Sequence, residues 1–305
     1  MSEQAKPNVA VIGLGSMGMG MACSLLRAGF PVAGCDTNPA ARDAFAAAGG
    51  KSFETPADAA SGAAIVFSVV VNAVQTEQVL FGPGGAADAM ATDGLFISCV
   101  TMDPALARGF AARIEEKGRL FLDAPISGGS VRAAEGTLTI MASGSTESFA
   151  RADAALDAVA ANVFRLGDAA GQGSAFKMVN QLLAGVHIAV ASEAMVFAAA
   201  QGLDLAKVYE VITASAGNSW MFENRMPHVL DGDYRPASAI DIFVKDLGIV
   251  DDMARAARSP TPIAAAALHM YLAASGMGMG RDDDASVARV YAALANQSLP
   301  GGHNR

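Results

Sequence analysis

Charged side chains are scarce in this 305-residue sequence, and positive charges are fewer than negative ones. Asp, Glu, Lys and Arg together make up 17% of the residues, hydrophobic residues make up 52%, and the formal net charge is -9. Because no segment concentrates Lys and Arg, we expect neither nucleic acid nor an anionic membrane to be the main partner. The composition is typical of a globular protein, and the length suggests two domains.

Cysteines and long apolar runs are also few. Cys23, Cys35 and Cys99 are an odd number of widely spaced residues, which favours reduced thiols in a cytoplasmic core over a disulfide framework or a metal site. No uninterrupted apolar run reaches the roughly 18 residues that a bilayer-spanning helix needs, and the N-terminal segment Met1–Asn8 is polar. We therefore expect a cytoplasmic protein without a signal peptide, a membrane span or a bound metal.

The first half of the chain alternates short apolar runs with segments of helical spacing. This alternation predicts a parallel, doubly wound α/β sheet of the Rossmann type. The predicted strands are Val9–Ile12, Val32–Cys35, Ile65–Val71, Leu95–Cys99 and Leu120–Asp123, with Leu138–Met141 and Val163–Leu166 as candidate extensions.

Strand-like patterns stop after Asp168, and the second half is predicted to be all helical. We place the domain border near residue 167, giving domains of residues 1–167 and 168–305. The predicted helices are Gly173–Gln201, Leu205–Ser215, Ile240–Ala257 and Pro262–Ser275, and the Gly276–Gly280 run is predicted to be a loop.

A glycine-rich turn follows the first predicted strand and precedes an apolar helical run. Its glycines allow a tight turn and a close approach of backbone to pyrophosphate, and the following helix offers N–H groups to the phosphates. The turn predicts a dinucleotide site formed by Gly13, Leu14, Gly15, Ser16, Met17 and Gly18.

Asp36 ends the second predicted strand at the spacing expected for a ribose-binding carboxylate. Thr37 and Asn38 follow it, where NADP enzymes usually place an arginine, so we expect NAD. The alternative is that Asp36 only caps the helix that begins near Pro39.

Two later strand ends are expected to border the same ligand, because ligands bind at the switch point of such sheets. Val70 lies in the Ser68–Asn72 segment and Thr101 ends the Ser98–Thr101 segment. Thr101 could equally cap the helix that begins at Pro104.

The predicted strand Leu120–Asp123 is followed, after three residues, by Ser127, Gly128 and Gly129. Adjacent glycines can turn successive N–H groups toward one point, which makes a nest for a carboxylate. An ordinary loop is the alternative.

Lys177 lies near the start of a predicted apolar helix, and Asn180 and Gln181 follow three and four positions later. On a helix these three polar groups flank one face. An interior lysine is costly, but desolvation moves a lysine pKa toward neutrality, which suits proton transfer. The alternative is a lysine that reaches the surface.

Other polar and aromatic residues of the second half leave more than one interpretation open. Lys245 and Asp246 are a buried-looking pair that could be structural only. We expect His187 in a core or an interface, while Trp220 and Phe222 could wall a pocket or pack a helix.

Taken in order, the motifs resemble the β-hydroxyacid dehydrogenase family over essentially the whole chain. The resemblance rests on the Gly13–Gly18 turn, Thr101 in a Thr-x-x-Pro turn, the Asp123–Gly129 run, Gly171-x-Gly-x-x-x-Lys177-x-x-Asn180, and Lys245-Asp246-Leu247.

This resemblance implies that Lys177 is the catalytic lysine and that Ser127, Gly128 and Gly129 hold the substrate carboxylate. It further implies that Thr101 and Lys245 help to bind NAD. The first domain would hold NAD, and the second would serve substrate binding and assembly into a homodimer or homotetramer.

Gln181 departs from the family pattern, because many members have an asparagine there that contacts the substrate. Stretches around Asn180–His187 and Gly217–Arg225 are similar to the L-threonate dehydrogenase branch. That branch implies oxidation of L-threonate at C2 to 2-dehydro-L-erythronate, with Gln181 and Asn218 as added hydrogen-bonding groups. The alternatives are a 3-hydroxyisobutyrate or tartronate semialdehyde enzyme, or a non-catalytic NAD(H)-binding sensor.

Overall fold

A computed structural model describes residues 6–300. Residues 1–5 of the polar N-terminal segment, on which the expectation of no signal peptide partly rests, lie outside the described residues. The chain divides into two compact units, Met1–Lys177 and Met178–Arg305. The border predicted at residue 167 stays a prediction.

The first unit contains a parallel six-stranded sheet with the order β3-β2-β1-β4-β5-β6. The order reverses at β1, which pairs with β2 on one side and β4 on the other. The doubly wound α/β fold predicted from the sequence is therefore confirmed. The strands are Val9–Ile12 (β1), Val32–Cys35 (β2), Lys51–Phe53 (β3), Ile65–Ser68 (β4), Leu95–Ser98 (β5) and Leu120–Asp123 (β6).

Helices cover this sheet, and most of them begin at a side chain that caps the first turn. Asn38, Thr55, Asn72, Asp103 and Ser145 each accept a hydrogen bond from a first-turn N–H group. Two apolar clusters form the core of the unit. The helices are Ser16–Arg27 (α1), Pro39–Ala47 (α2), Pro56–Ala60 (α3), Ala73–Phe81 (α4), Pro104–Glu115 (α5), Gly129–Glu135 (α6) and Thr146–Asp157 (α7).

The two candidate extension strands do not join this sheet. They appear as Leu138–Ala142 (β8) and Ala160–Arg165 (β9), which form a second sheet of three strands together with Ile126–Ser127 (β7). Pro125 follows β6 closely and has no N–H group for a continued ladder. The chain then enters β7, which pairs antiparallel with β8, so β8 and β9 belong to a separate sheet.

The second unit is helical, as predicted, and residues 178–300 contain no β-strand. Two helices of this unit were not predicted, Trp220–Asp231 (α10) and Val287–Leu294 (α13). The predicted Gly276–Gly280 loop is instead an irregular helical segment, Ser275–Met279, interrupted at Gly278 with a φ of +87°. The helices are Gln172–Ala200 (α8), which begins before the border, Leu205–Thr213 (α9), Trp220–Asp231 (α10), Ile240–Ala257 (α11), Pro262–Ala274 (α12) and Val287–Leu294 (α13).

Helix α8 is long and apolar enough, by length and composition alone, to cross a membrane. The sequence did not suggest this, because polar residues interrupt its apolar runs. Its most apolar window has a mean hydropathy of 1.8, and half of that window is buried inside the protein. Core helices of globular proteins have the same properties, so length and composition alone do not distinguish α8 from such a helix.

Four charged or titratable side chains lie together in the second unit. Arg225 donates to both carboxylate oxygens of Asp284, at 2.6 and 3.2 Å. His228 Nδ1 lies 2.9 Å from Asp283 Oδ1. This hydrogen bond to Asp283 raises the pKa of His228, against the opposing effect of burial.

We predict that replacing His228 by Gln destabilises the protein most at low pH. A histidine whose pKa is raised by folding contributes stability below its unfolded-state pKa and loses it as the pH rises through the folded-state pKa. Urea unfolding at about pH 5.5 and about pH 8.5 measures the difference. His269→Gln, at an exposed position on α12, is the control, and an equal loss for His228→Gln at both pH values would contradict the prediction.

Candidate active site

The three glycines between β1 and α1 meet different constraints. Gly13 has a φ of +95°, and a Cβ built on it would lie 2.6 Å from the carbonyl oxygen of Val69. A Cβ on Gly18 would lie 1.8 Å from the carbonyl oxygen of Gly13. A Cβ on Gly15 would meet no described atom within 4 Å. Packing therefore requires Gly13 and Gly18, while Gly15 leaves the backbone open to a ligand.

Helix α1 begins at Ser16 without a side-chain cap. Gly15 occupies the N-cap position, and no side chain there accepts from the first-turn N–H groups. These groups carry the partial positive charge of a helix N-terminus and can donate to an anion. The Gly13–Gly18 turn therefore has the features that the pyrophosphate of a dinucleotide requires.

Asp36 holds this turn against the end of β2. Its Oδ2 accepts from the Leu14 N–H at 2.7 Å, and its Oδ1 accepts from the Asn38 N–H at 2.8 Å. Asn38, not Asp36, caps α2. The alternative role considered for Asp36 is therefore filled by its neighbour, and the Asp36 carboxylate lies beside the glycine turn, as ribose binding requires.

Arg42 is a cation near Asp36 that the sequence analysis missed. Its Nη1 donates to the Asp36 carbonyl oxygen at 2.8 Å, and its Nη2 donates to Glu54 Oε1 at 3.1 Å. Thr37 and Asn38 directly follow Asp36, whereas Arg42 lies six positions further on and reaches back from the first turns of α2. Glu54 and the backbone already engage its guanidinium.

Val70 and Thr101 follow β4 and β5. Val70 Cγ1 would lie 3.3 Å from a Cβ on Gly13, so Val70 borders the glycine turn. Asp103, not Thr101, caps α5, which removes the capping alternative for Thr101. Its contact with a ligand stays a prediction.

The hydroxyls that end β4 and β5 also lie at this edge of the sheet. Ser68 and Ser98 are register partners and fully buried. Neither hydroxyl has a hydrogen-bond partner among residues 6–300. Such groups at the carboxyl ends of strands are suited to a polar ligand.

The Ser127–Gly129 segment has a backbone that only glycine adopts easily. Gly128 and Gly129 have φ values of +137° and +77°, so an L-residue there would be strained. The side chain of Arg132 packs on Gly128, with Cδ 2.8 Å from the place of a Cβ. Successive left-handed residues fit the predicted carboxylate nest, although its ligand stays a prediction.

Lys177 is buried, with 6% of its surface exposed. It lies in the second turn of α8, which begins at Gln172. A lysine that reaches bulk solvent, the alternative considered from the sequence, does not match this burial. An interior ammonium group has the environment that proton transfer requires.

Asn180 and Gln181 belong to a hydrogen-bonded row in the second unit. Asn180 Nδ2 donates to Gln181 Oε1 at 3.0 Å, and Gln181 Nε2 donates to Asp246 Oδ2 at 2.5 Å. Lys245 Nζ lies 2.7 Å from Asp246 Oδ1. Both ends of the Gln181 amide are therefore engaged within the chain, and the substrate contacts expected of Asn180 and Gln181 stay predictions.

The structure places Asn218 in a different local network. Asn218 Nδ2 donates to the Thr213 carbonyl oxygen at 3.1 Å and to Glu223 Oε1 at 2.6 Å. Asn218 Oδ1 is buried and has no hydrogen-bond partner in the described part of the chain. The substrate contact of Asn218 stays a prediction, and only Oδ1 of its amide lacks a partner among the described residues.

The remaining candidates of the second half divide between core and surface. Phe222 is buried and stacks on Tyr209 with ring centroids 5.9 Å apart, so it packs a helix. Trp220 is 49% exposed. His187 is partly buried on α8.

Two family models match the chain. The model described as the NAD-binding domain of 6-phosphogluconate dehydrogenase matches residues 8–167. The model described as NAD-binding of NADP-dependent 3-hydroxyisobutyrate dehydrogenase matches residues 171–291. Together they cover most of both units.

Similar proteins match over nearly the full length. L-threonate dehydrogenase from Cupriavidus necator is 52% identical over 96% of this chain and 98% of its own. L-threonate dehydrogenase from Escherichia coli strain K12 is 46% identical over 99% of both chains. A crystal structure of 3-hydroxyisobutyrate dehydrogenase from Salmonella typhimurium is 48% identical with a TM-score of 0.90, covering 93% of this chain and all of that one.

We predict that Asp36→Ala weakens the preference for NAD over NADP by about tenfold or more, the value of a hydrogen bond to a charged group. The change removes an acceptor for the ribose hydroxyls and a negative charge that repels a 2′-phosphate. Fluorescence titration with NADH and NADPH gives the affinity ratio. The change also removes the hydrogen bond from the Leu14 N–H. Its loss should weaken the binding of NADH and NADPH alike, so it should not change the affinity ratio.

Asp43→Ala is the matched control, because Asp43 is an exposed carboxylate on α2 and its loss changes the net charge equally. An unchanged affinity ratio for Asp36→Ala would remove Asp36 from cofactor discrimination.

Proposed function

The chain belongs to the NAD-binding hydroxyacid dehydrogenases related to 3-hydroxyisobutyrate dehydrogenase, and we propose that it oxidises L-threonate at C2 to 2-dehydro-L-erythronate. The observation that carries this substrate is the 52% identity to an L-threonate dehydrogenase over 96% of the chain. We assign NAD binding to residues 1–167, and substrate binding and assembly to residues 168–305.

In the proposed reaction Lys177 accepts the proton of the substrate hydroxyl. Its burial supports this role, because a neutral amine shielded from water can take the proton of a bound substrate hydroxyl and become an ammonium group without competition from solvent. Ser127, Gly128 and Gly129 hold the carboxylate. Bound NAD supplies the hydride acceptor.

The remaining proposed roles concern orientation. Asn180 faces the substrate, and Gln181 fixes the Asn180 amide by accepting its N–H group. Asn218 accepts from a substrate hydroxyl through Oδ1. The proposed cofactor contacts are Gly13, Leu14, Gly15, Ser16, Met17, Gly18, Asp36, Val70, Thr101 and Lys245.

The test is NADH formation with L-threonate, D-threonate, erythronate, 3-hydroxyisobutyrate and glycerate. We expect the highest kcat/KM with L-threonate, and C2-deuterated L-threonate should transfer its deuterium to NAD, as read by mass spectrometry. Lys177→Ala should lower kcat by about a thousandfold or more, the usual scale of a general base. Its affinity for NADH should stay close to that of the wild type.

Other outcomes would assign a different function. Preference for 3-hydroxyisobutyrate would place the chain with the Salmonella typhimurium structure. Tight NADH binding without turnover of any hydroxy acid would favour a sensor. Retention of more than a few per cent of activity by Lys177→Ala would remove this residue from proton transfer.

We also propose a homodimer or homotetramer in the cytoplasm. Support comes from an apolar stripe on α8 that is exposed in the single chain. Val179, Leu183, Val190 and Phe197 are 61%, 48%, 53% and 66% exposed, and their spacing places them on one face of the helix. An exposed apolar face of this length is typical of a subunit interface.

We predict that Phe197→Glu lowers the oligomeric state, because a carboxylate would have to be buried in the interface. Light scattering after size-exclusion chromatography gives the mass. Leu106→Glu, on an exposed apolar position of α5, is the control. A monomeric wild type, or an unchanged mass for Phe197→Glu, would contradict the prediction.

A further inference from the structure

Asp123 is a carboxylate of the first unit for which the proposed reaction has no use. It ends β6 and is 0% exposed. Its Oδ2 accepts from the N–H groups of Gly171 and Ser174 at 2.9 and 2.8 Å and from the Ser143 hydroxyl at 3.3 Å. Its Oδ1 accepts from the Ser174 hydroxyl at 2.7 Å. A buried carboxylate with this many donors has a specific structural task.

Apart from the Ser143 hydroxyl, which follows β8, these donors lie at the beginning of α8. The first N–H groups of a helix have no partner inside it. Asp123 binds those of Gly171 and Ser174, and the Ser143 hydroxyl accepts from the Gly173 N–H at 2.9 Å. The negative charge also lies at the positive end of the helix dipole. Two side chains thus fasten the first turn of α8 to the ends of β6 and β8.

Steric contact leaves this first turn little freedom. A Cβ on Gly173 would lie 2.3 Å from the Met141 carbonyl oxygen and 2.8 Å from the Asp123 carbonyl oxygen. The helix backbone therefore approaches the strand ends as closely as a glycine permits. Hydrogen bonds and packing together fix both the depth and the rotation of the turn.

Lys177 follows Ser174 by three residues, which is less than one helical turn. Residues three apart lie on nearly the same side of a helix, separated by about 4.5 Å along its axis. A displacement or rotation of the first turn would therefore move the base of the Lys177 side chain by a similar amount.

We propose that Asp123 is a positioning residue for the reaction, holding Lys177 in place through the first turn of α8. This inference rests on the proposed role of Lys177. Asp123 itself touches neither the substrate nor NAD in this account. A misplacement of about 1 Å at a reacting group can lower the rate about a hundredfold.

The test compares Asp123→Asn and Ser174→Ala with the wild type. Asn keeps the volume of Asp123 but turns one acceptor oxygen into an NH2 group that faces donors. Ser174→Ala removes only the hydroxyl that donates to Oδ1. We expect kcat to fall by about a hundredfold for Asp123→Asn and about tenfold for Ser174→Ala, with the KM for NAD within about twofold.

Two further measurements separate positioning from stability. The pH profile of kcat should shift in both variants, because a moved amine titrates in a different environment. The rate at which acetic anhydride acetylates Lys177, followed by peptide mass spectrometry, should change without any substrate present. Ser148→Ala is the matched control, because Ser148 is a buried serine of the same unit whose hydroxyl bonds that of Ser145, the residue that caps α7.

The outcomes distinguish this proposal from the proposed function. If Lys177→Ala is inactive while both variants keep the wild-type kcat, pH profile and acetylation rate, Asp123 is not a positioning residue. If Ser148→Ala lowers kcat as much as Ser174→Ala, the effect is one of stability and the proposal is overturned. If Lys177→Ala stays active, the proposed function fails instead. Ser174→Ala keeps the test decisive should Asp123→Asn not fold.

Discussion

The proposed chemistry of the first unit depends on the N–H groups at the beginning of two helices. Those of α1 form the candidate dinucleotide site, and those of α8 lie just before Lys177. Every helix begins with N–H groups that need an acceptor, and a buried group left without one costs about 1–3 kcal/mol. At α1 no side chain supplies that acceptor, and Gly15 leaves the backbone open. At α8 Asp123 supplies it permanently. The beginning of α1 is thus suited to bind a phosphate. The beginning of α8 is held in place by Asp123, and Lys177, which follows it, is held in place with it.

Charged residues are only 17% of this chain, and two of its buried carboxylates show how such charges are accommodated. Asp123 and Asp246 are buried, and each has hydrogen-bond donors or a cation against its oxygens. Removing one partner would leave an uncompensated buried charge, which is far more destabilising than losing a surface ion pair. The buried carboxylates Asp123 and Asp246 therefore each act within a fixed set of partners.

The sequence predicts those features whose cause is local. The spacing of Gly13, Gly15 and Gly18 predicts the dinucleotide turn, because a single turn requires all three. The periodicity of apolar residues predicts the main strands and the long helices. The edge strand β3 was missed because Lys51-Ser52-Phe53 is short and polar at its start. The bond from Gln181 to Asp246 joins residues 65 positions apart, and that from Ser174 to Asp123 joins residues 51 apart. Such pairs depend on how helices and strands pack, which no local pattern contains.

The substrate selectivity that we propose depends on which polar atoms of the second unit remain available. The Gln181 amide is engaged at both ends, and the Asn218 nitrogen is engaged by Thr213 and Glu223. Asn218 Oδ1 is buried without a partner among the described residues. An acceptor in that state favours a ligand with a hydroxyl over one with a methyl group, because the methyl would leave it unpaired, and sites built to bind a hydroxyl reject analogues that lack it. The proposed substrate threonate has several hydroxyls that can donate to such an acceptor, whereas 3-hydroxyisobutyrate has a methyl group in place of a second hydroxyl.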